Sequence, residues 1–257
     1  MNINTLKKYF PLLKELVSRD VKIKYRRSFL GILWTILNPL GMMIILTVVF
    51  STVFRQDIEN FPVYLMCGQL LFNFFSEATN MCMTAIIGNA GLISKVYVPK
   101  YFFPVSRVCS SFVNLLTSAI ALIIVIIVTR TPVSWTIILS IFPILYVLLF
   151  AIGMGMILSA VTVSFRDMIH LYGVLLTAWT YLTPIFYPMS MLPEGIVTNI
   201  VQTNPITKFV QMLREVILYG QVPGFQEHLN CILPCIIVLI IGIMVFKKLQ
   251  DNFILKL

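Results

Sequence analysis

The stretch Lys22–Pro39, KIKYRRSFLGILWTILNP, sets the architecture. Lys22, Lys24, Arg26 and Arg27, with Arg19 just upstream, run straight into a segment dominated by apolar residues from Phe29 to Phe54. At 1.5 Å per helical residue, such a segment crosses a hydrocarbon core about 30 Å thick. Clustered Lys and Arg before it mark the cytoplasmic side. This stretch therefore fixes both where the membrane begins and which way up the chain sits.

Composition agrees. The 257 residues are 59% hydrophobic and 11% charged, with mean hydropathy +0.94. A soluble domain carries about a quarter charged residues. The net charge of +9 is no nucleic-acid footprint, because eight of nineteen basic residues precede Phe29. They follow the positive-inside rule instead. The five cysteines (67, 82, 109, 231, 235) are odd in number and lie in apolar runs, which reads as buried thiols, not a disulfide framework. Cys231 and Cys235 sit one helical turn apart, but no histidine or carboxylate completes a metal site. The charged first 27 residues and the long apolar run after them do not form a cleavable signal peptide.

The pattern predicts an all-α integral membrane protein with six transmembrane helices. Residues 1–27 form an amphipathic interface helix and 28–257 a transmembrane domain. Leu6, Tyr9, Phe10, Leu13, Leu16, Val17 and Val21 recur at steps of three and four. Glu15 and Arg19 are spaced for a helical ion pair. This helix either lies in anionic headgroups or docks a cytoplasmic partner. Spans are expected over about 28–54, 61–87, 101–129, 135–163, 168–187 and 228–246, with Pro39 as a kink in the first. RQDIEN (Arg55–Asn60) bridges outside, while Gly88–Lys100 and Ser164–Asp167 turn inside. Residues 188–220 hold two helical patterns too short to cross, as in re-entrant helices. In the second, Asn204-Pro205 is an N-cap with Pro at the first helical position, and Gly220 is a stop. Ile206, Phe209, Val210, Leu213, Val216 and Ile217 form its stripe. Both termini then face the cytoplasm, with fifteen of nineteen basic residues.

Gln69, Asn73, Glu77 and Asn80 place one polar face along the second span, beside Phe72, Phe74 and Phe75. Such a face either glues the bundle by interhelical hydrogen bonds or lines a path for a hydroxyl-rich solute. The third span repeats the pattern with Ser106, Ser110, Asn114 and Ser118, and Arg107 is expected to snorkel. Ala151, Gly155 and Ser159 permit close packing in the fourth. Trp179, Tyr181, Pro184, Phe186, Tyr187 and Pro188 end the fifth, either as an interfacial belt or as ring faces for sugars. The sequence contains no GxxxxGK[ST] loop, no HExxH and no catalytic carboxylate pair, which argues against an enzyme. An ion-coupled transporter using Glu77 and a transferase using His170 beside Asp167 are rivals from other classes.

The segments LVSRDVKIKYRRSFLGILWTILNPL (Leu16–Leu40), GLISKVYVPKYFFPVSR (Gly91–Arg107), FRDM around Arg166, LTPIFYP (Leu182–Pro188) and the following Asn204-Pro205 occur in this order along the chain. In that order the whole chain resembles the membrane permease of ABC type-2 exporters of polysaccharide, O-antigen, capsule or teichoic acid. A drug or lipid exporter of the same superfamily is the nearest competitor. The resemblance implies a plasma (inner) membrane location and a pair of permeases working with two copies of a separate ATPase. ATP and Mg would sit on that partner, leaving no cofactor, metal or nucleic acid on this chain. It further implies ATPase coupling through Arg19, Lys22, Ile93, Lys95, Tyr97, Pro99, Lys100, Arg166 and Asp167. A path for a lipid-linked glycan would run along Gln69, Phe72, Asn73, Phe75, Glu77, Asn80, Tyr181 and Phe186. An outer gate would involve Pro184, Tyr187, Pro188, Asn204 and Pro205.

Overall fold

The computed structural model describes residues 3–26, 30–51, 58 and 60–256. The expected start of the first span at Ser28, its end near Phe54 and most of the bridge RQDIEN lie outside the described residues. So do Arg27 and the side chains of Leu6 and Lys7. Among the described residues the regular structure is helical throughout. Helix α1 (Ile3–Tyr25) is followed by α2 (Trp34–Ser51), α3 (Phe61–Met83), the short α4 (Ala90–Ile93) and α5 (Phe102–Val128). Then come α6 (Ile141–Ser164), α7 (Met168–Tyr181), α8 (Ile196–Thr203), α9 (Pro205–Ile217), α10 (Phe225–Leu249) and α11 (Phe253–Lys256).

Three helical segments are long and apolar enough to cross a membrane: Phe102–Val128, Trp135–Ser164 and Phe225–Asn252. A fourth arises if α3 and the bent segment Ile87–Ile93, turned by 54°, count as one. Several expected boundaries change. The second span stops at Met83, four residues early, and the chain turns there. Asn89 braces that bend, donating to the Ala85 carbonyl at 2.7 Å. The fifth does not run from 168 to 187 as one helix, because α7 has 14 residues, about 21 Å. Its stop has a local cause: Thr183 precedes Pro184, which disfavours helical geometry at 183 and removes the next N–H donor. The fourth begins as a 3₁₀ segment, Trp135–Ser140, before α6. Pro11, whose residue type suits a first helical turn or a kink, lies inside α1 and beyond its first turn.

One apolar core runs through α3, α5, α6, α9 and α10. A second caps the end of the bundle expected to face the cytoplasm, joining Leu16 of α1, Ile93, Val98, Phe102, Phe103, Val163, Phe246 and Phe253. On α1 the stripe is partial, since Phe10 is 62% exposed while Tyr9, Leu12 and Leu13 pack against that cap. The expected stripe of α9 is buried in full: Ile206, Phe209, Val210, Leu213, Val216 and Ile217. Gly220 takes φ +60°, and Gln221 N–H caps Glu215 O just beyond the helix. Helices α6 and α10 meet backbone to backbone. A Cβ on Gly242 would lie 2.5 Å from the Gly153 carbonyl oxygen, and one on Gly155 2.6 Å from Cys82 Sγ.

Two glycine substitutions test that packing by thermal melting in detergent. Gly242→Ala forces α10 off α6 and costs about 1–3 kcal/mol, as overpacking does. Gly173→Ala, in open space on α7, is neutral or stabilises by about 0.5–1 kcal/mol.

Candidate functional site: a polar groove and the two ends that close it

The four-residue spacing of Gln69, Asn73 and Glu77 lays them along one face of α3. That face opens on a groove of about 720 Å³ walled by α2, α3 and α5. Trp34, Asn38, Phe72, Ser76, Ser118 and Phe186 complete much of its lining. A second chamber of about 680 Å³ lies between α1, α3 and α5 and is lined by Asp20, Lys24 and Arg107. Lys24, Glu77 and Asn114 belong to the walls of both, so the chambers meet at these three side chains. There Lys24 Nζ and Asn114 Nδ2 each approach Glu77 Oε1 to 2.7 Å. The carboxylate is neutralised by a cation from α1 and steadied by an amide from α5.

Not every expected path residue lines the groove. Phe75 is buried in the core, edge-on to Trp179 with centroids 5.2 Å apart and tilted against Phe150 at 5.5 Å. Its position on α3 turns it away from the polar face, so it is a packing residue. Asn80 is exposed but outside the groove wall, its amide donating back to Ser76 O at 3.0 Å. Tyr181, 67% exposed, also stands outside, whereas Phe186 lines the groove and stacks on Phe50 at 6.0 Å. Gln69 Oε1 is buried with no hydrogen-bond partner among the described residues.

The end of the groove beside α1 is held by a residue the sequence did not single out. Asp20, its side chain 1% exposed, pairs with Arg107 at 3.0 Å and with Arg19 at 3.2 Å. Ser110 Oγ donates to its other oxygen at 3.4 Å. Arg107 therefore does not snorkel. Arg19 also reaches Asn89 Oδ1 at 3.1 Å, so its guanidinium serves Asp20 and the bend after α3, not Glu15. Two of these residues, Arg19 and Asp20, are adjacent on α1, so the interface helix is bolted to α5 and to the loop at once.

Of the expected coupling residues, Lys22, Lys95, Arg166 and Asp167 are exposed, and Tyr97 is 93% exposed. Pro99 is half-buried. Ile93 is buried in the cytoplasmic cap and cannot present itself to a partner. Lys100 turns inward, donating to Gln250 O at 2.7 Å with its ammonium 5.7 Å from the Phe253 ring.

At the other end, Asn204 is more than an N-cap. Its Oδ1 accepts from Ile206 N–H at 3.1 Å and from Trp179 Nε1 at 2.9 Å, and its amide donates to Thr183 Oγ1 at 3.0 Å. Pro205 follows as the first residue of α9. Tyr187 donates to Tyr181 O at 2.7 Å and accepts at its own carbonyl from Tyr64 at 3.0 Å. Pro184 and Pro188 are buried beside it. The unforeseen piece is Arg214, buried on the apolar face of α9. It donates to the carbonyls of Tyr64 (3.2 Å), Pro184 (2.8 Å) and Ile185 (3.2 Å), with its guanidinium 3.3 Å from the Tyr64 ring centroid. A buried Arg inside an apolar stripe, with the Pro184–Phe186 turn whose carbonyls it serves lying some thirty residues earlier, is a signal only in hindsight.

Fold and groove define a multi-pass membrane subunit whose working surface is a polar furrow and whose ends are clasped by ion pairs and an arginine. Residues 11–218 match the family described as ABC-2 type transporter, and the chain belongs to it. It is a non-catalytic permease subunit, and such permeases work with ATPase partners. Over 252 residues it is 29% identical to an O-antigen export system permease protein, RfbA, of Myxococcus xanthus, covering 98% of this chain and 97% of that one. A protein of the same description from Klebsiella pneumoniae is 28% identical over 95% and 94%. The polysialic acid transport protein KpsM of Escherichia coli is 22% identical over 91% of each. Family membership removes the ion-coupled transporter and the transferase, and Glu77 is occupied by Lys24 and Asn114 besides.

The Asp20 cluster yields a test. Asp20→Ala strands the partly buried Arg107 and lowers stability by about 3 kcal/mol, as breaking a buried pair does. Removing both partners recovers part of that loss, giving a coupling energy above about 1 kcal/mol in a double-mutant cycle. Equal and additive losses would show that the pair carries no coupling.

Proposed function

We propose that this chain is the permease of an ATP-driven exporter of an O-antigen-type or capsular polysaccharide, with the groove along α2, α3 and α5 as half of the glycan path. The observation that carries the reading is the junction of two chambers at Glu77 and Asn114, which joins the cytoplasmic level of Asp20 to the outer level of Phe186. Its walls combine neutral amides and hydroxyls (Gln69, Asn73, Asn114, Ser118) with aromatic faces (Trp34, Phe72, Phe186). Amides satisfy sugar hydroxyls, and flat apolar rings allow sugar faces to slide without fixed polar geometry. The relatives described as exporting O-antigen support the same substrate class.

On this reading six spans cross the plasma membrane with both termini inside, α7 completing the fifth together with the turn that follows it. Residues 1–27 are the interface helix and 28–257 the permease domain. Two copies face each other across the groove, and two ATPases sit below, on α1 with Arg19 and Lys22, on Lys95–Pro99 and on Arg166–Asp167. The lipid-linked glycan enters between α1 and α3. ATP-driven movement of the partner shifts α1, and Lys24 moves with it. Because Lys24 belongs to α1 and Glu77 to α3, that displacement breaks their pair and opens the cytoplasmic mouth. The turn Pro184–Pro188 and the Asn204-Pro205 start of α9 gate the outer end, held in place by Arg214.

Filling the groove tests the path. Ser118→Trp and Asn73→Trp should abolish surface polysaccharide while permease level, melting temperature and ATPase recovery stay at the wild-type value. Export that continues through a filled groove would refute the path. The mouth is tested separately: Lys24→Glu repels Glu77 and reduces export, and the swap Lys24→Glu with Glu77→Lys restores it. Failure of the swap would mean the pair is not the closing contact.

A further inference from the structure

We propose that the C-terminal tail, Gln250–Lys256, is a strut that fixes the distance between the two ATPase-facing loops and forms part of the docking face itself. The inference rests on the reading that Lys95–Pro99 and Arg166–Asp167 meet the ATPase, and it assigns a role to a segment that this reading leaves out.

The tail touches both loops at their roots. After α10 it turns through Gln250–Asn252, and the Gln250 carbonyl accepts from Lys100 Nζ at 2.7 Å, where the first loop ends. One helical turn on, Lys256 Nζ donates to Ser164 Oγ at 2.9 Å, where α6 ends and the second loop begins. Between these two hydrogen bonds Phe253 is driven into the cytoplasmic cap. It is 1% exposed, edge-on to Phe246 with centroids 5.5 Å apart. The Lys100 ammonium lies 5.7 Å from its ring. One aromatic anchor therefore holds a short bridge whose ends are pinned to two different loops.

The apolar cap that receives Phe253 also explains why a strut is needed. Val98 of the first loop and Val163 of α6 enter this cap, but each loop tip points away from it: Tyr97 and Val96 on one side, Phe165, Arg166 and Asp167 on the other. The first tip has one further hold, a long hydrogen bond from the Tyr9 hydroxyl to the Tyr97 carbonyl at 3.5 Å, which ties it to α1 and not to the second loop. The tail supplies the tie between the two loops from outside. Asp251, Asn252 and Lys256 remain exposed beside those tips, so the same segment presents an acid, an amide and an ammonium to whatever protein the tips contact. A rigid partner groove that must seat both tips loses affinity when their spacing wanders, because each docking event then orders a loop that was loose.

The experiment is recovery of the ATPase with an affinity-tagged full permease, solubilised from cells that also report surface polysaccharide. Four permeases are compared: Phe253→Ala, Lys256→Met, a chain ending at Leu249, and the loop variant Tyr97→Ala/Arg166→Glu. The loop variant is expected to lose the ATPase. The Phe253 and truncated forms are expected to lose about tenfold in recovery, the equivalent of about 1.4 kcal/mol, and to lower the permease melt because a buried ring is lost, whereas Lys256→Met is expected to lower recovery with the melt unchanged. If the loop variant loses the partner while the tail variants keep wild-type recovery and export, the strut is overturned and the docking reading stands. If the loop variant keeps the partner, the docking reading is overturned and the strut with it. Should the truncated and Phe253→Ala chains fail to accumulate, Lys256→Met decides, since it breaks a single exposed hydrogen bond. Reduced export then supports the strut, and wild-type export and recovery overturn it.

Discussion

A single carboxylate ties the moving parts of this permease together. Asp20 lies out of water on the inner face of α1, where an unpaired charge would be costly, and it is paid for by two guanidiniums and a hydroxyl. Arg107 brings α5 to it, and Arg19 carries the connection on to Asn89 at the bend after α3. These contacts tie α1 both to α5 and to the loop after α3. A helix lying loosely in headgroups would transmit nothing. On the proposed reading the clasped helix is a lever, and Lys24, little more than one helical turn beyond Asp20, reaches Glu77 in the groove.

The two ends of the groove are held by different physics. At the cytoplasmic mouth the Lys24–Glu77 contact is an ion pair between partly exposed side chains, and such pairs are weak and easily exchanged. At the outer end Arg214 is buried and gives three hydrogen bonds to backbone carbonyls, while its guanidinium lies over Tyr64. Charge-assisted bonds of this kind are about twice as strong as neutral ones, and losing the donor would orphan carbonyls that the turn at Pro184 cannot satisfy alone. Gly68 makes the arrangement possible, because a Cβ there would sit 3.0 Å from an Arg214 nitrogen. On the proposed reading, a weak contact at one end and a strong one at the other make an entrance that yields first.

How much of this was legible in the sequence depends on the range of the interaction. Local signals read correctly: Asn204-Pro205 caps α9, Gly220 ends it with a positive φ, and six apolar residues at helical spacing are its buried face. The polar row on α3 placed Gln69, Asn73 and Glu77 on the groove, but helical spacing alone could not tell that Phe75 faces Trp179 and the core. In the fifth span the hydropathy continues through Leu182–Tyr187, whereas the helix ends at Tyr181, just before the Thr183-Pro184 step. Asp20, Arg107 and Arg214 escaped for a common reason. Each is an ordinary charged residue in its own helix and acquires meaning only from a partner far along the chain.

On the proposed reading, the chemistry of the groove matches what a sliding polymer requires. A path that binds each sugar tightly would stall it, so favourable contacts must be many, shallow and repeated. Uncharged amides, small hydroxyls and ring faces are of that kind, and they dominate the wall from Gln69 to Phe186. The one carboxylate in the wall, Glu77, is neutralised by a cation borrowed from the interface helix. When α1 moves away the charge is uncovered at the mouth, with Asn114 still hydrogen-bonded to it. On the proposed reading the open state thus differs from the closed one by an exposed acceptor at the entrance, which engages the leading sugar hydroxyls and is covered again when Lys24 returns. The same side chain that closes the mouth thereby also displaces the glycan from it, so closing and release are one step.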